Sequence, residues 1–124
     1  MPSSLRALDR QLLFVHRMLV EDGDDLRSRE EAVRLLRGVE HSLTRWAAEA
    51  PSRALSARLL RVRSQLRAHL SASETLEDIG RPARSVAGLL KRAVDTTRVG
   101  LRAVARPEHP AGSGTAVDAG VTSV

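Results

Sequence analysis

Leu5, Leu8, Leu12, Val15 and Leu19 follow one another at spacings of three, four, three and four. A helix turns about 100° per residue, so this spacing lines up all five side chains along one face. A strand would instead alternate apolar and polar residues. The pattern recurs three more times. Ala32, Leu36, Val39, Leu43, Trp46 and Ala50 form a second stripe, and Leu55, Leu59, Val62, Leu66 and Leu70 a third. Val86, Leu90, Ala93, Thr97, Leu101 and Val104 form a fourth, with Gly100 beside it, where small residues let a neighbouring helix come close. Each stripe has to be covered by another. Four of them in a 124-residue chain predict an all-α, up-down bundle of about four amphipathic helices. The near-strict spacing also suits coiled-coil-like packing and self-association.

Punctuation between the stripes sets the expected helices at 4–20, 28–50, 51–70 and 82–105. Ser3 or Ser4 can cap the first. The run Glu21-Asp22-Gly23-Asp24-Asp25 stops it, and Ser28-Arg29-Glu30-Glu31 has the form of a capping box for the second. Pro51 ends the second helix, because proline disfavours the helical conformation in the residue before it. The join to the third helix is so tight that the pair must turn sharply or form one kinked rod. Residues 71–81 read as a connector, in which Leu76 and Ile79 supply one covering turn, and Gly80 and Pro82 read as a stop and a new start. The bundle domain is thus 1–106. Beyond it Pro107, Pro110, Gly112, Gly114 and Gly120 mark 107–124 as a flexible tail that gains order on a partner.

Composition supports helices. Aromatics make up 2%, Phe14 and Trp46, which leaves little of the residue stock that sheets favour. The chain has no Cys, so disulfides, thiolate zinc sites and thiol catalysis are excluded, and a reducing, cytoplasmic setting is expected. No apolar run approaches the ~20 residues of a membrane span.

Little in the sequence points to catalysis. The four His residues, 16, 41, 69 and 109, have neither a Glu-x-x-His nor a His-x-x-x-His spacing. The acidic stretch Glu21–Asp25 lacks the alternating ligands of a calcium loop. The expectation is therefore a non-enzymatic protein with no cofactor or metal.

Two surfaces remain as candidates. Phe14 and Met18 share a face outside the first stripe and suggest a protein contact, to a partner or to another copy of the chain. The second candidate is basic. Net charge is +5, distributed as eight basic against nine acidic residues in 1–50 and twelve against four in 51–106. Arg84, Lys91, Arg98 and Arg102 form one ridge of the fourth helix, and Arg63 and Arg67 one flank of the third. Such rows suit contact with nucleic acid or another polyanion through backbone phosphates. The bland alternative is a solvated face, with Asp95 neutralising part of it. An interaction or assembly subunit is the leading expectation, and a subunit of a nucleoprotein complex the second.

Overall fold

The computed structural model describes residues 2–106. The tail expected at 107–124 lies outside the described residues. Four helices follow one another: α1 Pro2–Asp22, α2 Leu26–Glu49, α3 Arg53–Asp78 and α4 Ala83–Ala105. Connections of three or four residues join them and reverse the chain each time. Helices α1 and α3 each pack against both α2 and α4, and α2 also touches α4 across the diagonal. The result is the up-down bundle, with no strand among the described residues.

The stripes meet inside. Leu12, Val15, Leu36, Val39, Leu43, Leu59, Leu66, Leu70, Leu90 and Val94 are sealed from solvent. Full burial of one such side chain contributes about 1.5–3 kcal/mol. Burial is less complete at one end, where α1 and α3 begin and α2 and α4 finish. Leu5, Trp46, Ala50 and Leu55 there are only partly buried against the core.

Several boundaries differ from the sequence expectation. The largest difference is in α3, which continues to Asp78 where a connector was expected from Ser71. In the sequence the stripe breaks at Ser73. In the fold Ser73 is fully buried, and its hydroxyl donates to the Leu70 carbonyl at 2.8 Å. A polar residue satisfied by its own backbone occupies a core position without interrupting the helix. Helix α2 begins at Leu26, not Ser28. Its cap is Asp25, whose carboxylate accepts from the Ser28 N–H at 3.1 Å. Glu31 pairs with Arg34 instead of reaching back to the cap. Pro51 precedes the α3 cap Ser52, which accepts from the Leu55 N–H, so the chain turns sharply and forms no kinked rod. Helix α1 starts ahead of both serines expected to cap it.

Two glycines set local geometry. Gly80, at φ 76°, ends α3: its N–H donates to the Glu77 carbonyl and the Arg81 N–H donates to Leu76. This is a Schellman cap, which needs the left-handed conformation. Gly100 lets α4 approach α3, since a Cβ there would stand 2.7 Å from Val62 Cγ2.

Gly100→Ala is therefore expected to destabilise the bundle by about 1–3 kcal/mol through overpacking, despite its gain in helix propensity. A Cβ on Gly38 in α2 would meet no atom within 4 Å, so Gly38→Ala is expected to stabilise by about 0.5–1 kcal/mol. Urea unfolding of both variants checks the opposite signs.

Candidate functional site

The polar side chains sort into a structural seam and two open surfaces. The seam joins α2 to α3. Arg29 is buried at 6% exposure, and its guanidinium donates twice to Glu77, from Nε at 2.8 Å and Nη2 at 2.9 Å. Its Nη1 donates to the Gly23 carbonyl at 3.0 Å. Hydrogen bonding to Glu77 raises the Arg29 pKa further, so the group stays charged. Further along, Arg37 donates to Glu40 and Glu74, Arg67 donates to Glu40 at 2.6 Å, and Arg63 reaches Thr44 at 3.4 Å. The contacts advance along α2 as they retreat along α3, as antiparallel neighbours require. Glu40 is the hub. Burial alone would raise its carboxyl pKa, but hydrogen bonds from Arg67 and Arg37 outweigh that and hold it below the usual carboxylate range.

This seam claims part of the basic row expected from sequence. Arg67 is committed to Glu40, and Arg63 lies beside Thr44. On α4, Arg98 is committed to Asp9 of α1 at 2.8 Å. Asp95, expected to neutralise its neighbours on α4, instead stands 3.9 Å from His16 of α1. Arg84, Lys91 and Arg102 have no carboxylate partner among the described residues. The expected ridge thus follows the α1–α4 seam, with Arg98 drawn into it.

The first open surface is a groove at the loosely closed end of the bundle, with a volume of ≈ 730 Å³. Leu5, Leu55, Leu101 and Val104 supply its apolar lining, and Arg6, Arg10, Arg98, Arg102 and Asp9 its polar one. Leu55 belongs to α3, the helix diagonal to α1, so α1 and α4 do not close over the core here. No sequence periodicity signals this groove, because its arginines come from two helices far apart in the chain.

The second is a shallow cleft of ≈ 370 Å³ between α1 and α2. Phe14 and Met18 meet there with Glu21, Asp22, Glu31, Arg27 and Ser28. Phe14 is 58% exposed, whereas Met18 is half-buried against the core. Leu13 and Val20 leave 43% and 60% of their surface in solvent, so α1 carries three of the exposed large apolar side chains.

The three histidines among the described residues do not converge. His16 faces Asp95, His41 is exposed, and His69 Nδ1 lies 2.8 Å from the Gln65 carbonyl. No three His, Cys, Asp or Glu groups are placed to hold a metal among the described residues. No described helix is long and apolar enough to cross a membrane. No family model, curated protein or solved structure matches the chain.

Glu40→Gln is expected to cost about 1–3 kcal/mol at neutral pH, because it strips the guanidinium of Arg67 of its carboxylate. The native carboxyl titrates below its unfolded value, so the charged form's contribution is complete above pH ~4.3 and is lost as pH falls through the depressed native value. Urea unfolding across acid pH should show wild type and variant converging only below that point.

Proposed function

We propose that the protein is a non-enzymatic helical interaction subunit of a larger or self-associated complex, with Phe14 and Met18 as a contact surface. The observation that carries this reading is the 58% exposure of Phe14, the chain's only phenylalanine. The core is closed by aliphatic residues and does not use that ring. Exposed aromatic side chains on a rigid helix serve as anchors when a partner desolvates them. Met18 beside it is unbranched and adapts to the surface it meets. Leu13 and Val20 are exposed as well, but helix geometry places them on the other flank of α1, apart from this surface. His16, His41 and His69, on three different helices with different surroundings, favour a binding role over catalysis.

Phosphate binding by the basic row has weaker support. Arg98 and Arg67 would have to leave Asp9 and Glu40 to engage a polyanion. That leaves Arg84, Lys91 and Arg102 as a shorter row.

Sedimentation equilibrium of the full chain tests the reading. The expected result is a mass that rises with concentration above the 13.5 kDa of one chain, and that returns to the monomer in Phe14→Asp. Stability should change by no more than about 0.5 kcal/mol, because the ring is exposed. A monomeric mass that Phe14→Asp leaves unchanged would overturn the reading.

A further inference from the structure

The two open surfaces have opposite charge and matching apolar character. The groove presents Arg6 and Arg10 on its α1 wall and Arg98 and Arg102 on its α4 wall, against the single carboxylate of Asp9. Asp9 is already engaged by Arg98. Arg6, Arg10 and Arg102 have no carboxylate partner among the described residues. The edge around Phe14 and Met18 presents Glu21, Asp22 and Glu31 against Arg27. Glu31 is held by Arg34 of its own helix, while Glu21 and Asp22 have no cationic partner among the described residues.

We propose that these surfaces are the two halves of one contact, in which the Phe14–Met18 edge of one copy seats in the Leu5–Leu55–Leu101–Val104 groove of a second copy. This rests on the reading of Phe14 and Met18 as a contact surface and names what receives them. The apolar side chains cover the groove floor, and Glu21 and Asp22 approach the unpartnered guanidiniums at its rim. The dimensions agree. From Phe14 to Asp22 a helix rises about 12 Å, and the α4 wall from Arg98 to Ala105 rises about 10 Å. Charge on both walls of an open groove suits a helix edge that carries carboxylates and keeps its far side in water.

The geometry also dictates the symmetry. The edge lies on the α2 flank of α1, and the groove on its α4 flank. Two copies therefore cannot exchange the contact reciprocally. A bound pair keeps one free edge and one free groove between its two copies, so association is head to tail and continues until it closes into a ring or grows as a filament. The rim charges make it weaken with added salt. A contact this small falls near or below about 1,000 Å² of buried surface, the range of weak and transient interfaces, so high protein concentration is needed.

Complementation between two disabled variants tests the pairing directly. Phe14→Asp breaks the edge and leaves the groove intact. Arg6→Glu/Arg102→Glu breaks the groove and leaves the edge intact, with Arg6→Glu alone as a milder version. All three positions are exposed, and circular-dichroism melts establish that each variant is folded. The expected result by sedimentation is that each variant alone is monomeric, that their equimolar mixture forms a dimer and nothing larger, and that only wild type gives longer, salt-sensitive species. A mixture that stays monomeric overturns the proposal, as does wild type that stays monomeric at millimolar concentration. If Phe14→Asp abolishes association while the groove variant keeps it, the pairing fails and the Phe14 contact survives. If the groove variant abolishes association while Phe14→Asp keeps it, the contact reading itself fails.

Discussion

The placement of α2 on α3 depends on a polar seam inside an otherwise aliphatic bundle. Stripes of leucine, valine and alanine drive helices together, but they discriminate poorly between registers, because a slide by one repeat meets another leucine. The guanidinium–carboxylate pairs remove that freedom. Glu40, at 9% exposure, sits between Arg37 and Arg67, and Arg29 sits against Glu77. A slid register would leave these charges without partners in a partly desolvated seam, at a cost of several kcal/mol. The seam reaches further than two helices. Through the Gly23 carbonyl, Arg29 also holds the α1–α2 turn. A Cβ on Gly23 would stand 3.0 Å from Ala87 of α4, so that turn is packed against the fourth helix.

The open end lies beyond the point where the seam stops. Its last contact, Arg63 to Thr44, lies short of Trp46 and Leu55. Beyond it the side chains are only partly buried, and Arg98–Asp9 is an ion pair that ties α4 to α1 there. The groove between α1 and α4 opens at this end, with Leu55 half-buried at its floor. Charge that looked segregated along the chain is also redistributed by folding. The near-neutral first half and the basic second half meet in Asp9–Arg98 and Glu40–Arg67, while Arg37 of the first half takes Glu74 of the second. Arg6, Arg10 and Arg102 at the groove rim, and Arg84 and Lys91 further along α4, are among the cations left without a carboxylate partner among the described residues.

The helices and their inward faces were legible in the sequence, because a repeat of three and four is a direct image of helical geometry. Gly80 was legible too, since a residue placed to end a helix in the left-handed conformation is most often glycine. The extension of α3 was hidden by Ser73, whose polarity reads as a break until its hydroxyl is seen bonded to Leu70. The α2 start was hidden because Asp25 and Ser28 are both good caps, and only the backbone geometry selects between them. The Arg29–Glu77 pair was invisible: the partners are forty-eight residues apart, and Glu77 fell in what read as a connector. The candidate surfaces were partly legible. Phe14 stood out because it lies off the stripe, whereas the groove needs α1, α3 and α4 assembled before it exists.

A double-mutant cycle on Arg29 and Glu77, read by urea unfolding, tests the role of the seam most directly. Arg29→Met and Glu77→Met are each expected to destabilise markedly, Glu77→Met the more because it strands a buried guanidinium. The double variant should recover a large part of the loss, giving a coupling energy of about 1.5–3 kcal/mol. Additive losses, with coupling near zero, would contradict a bundle whose register depends on these pairs.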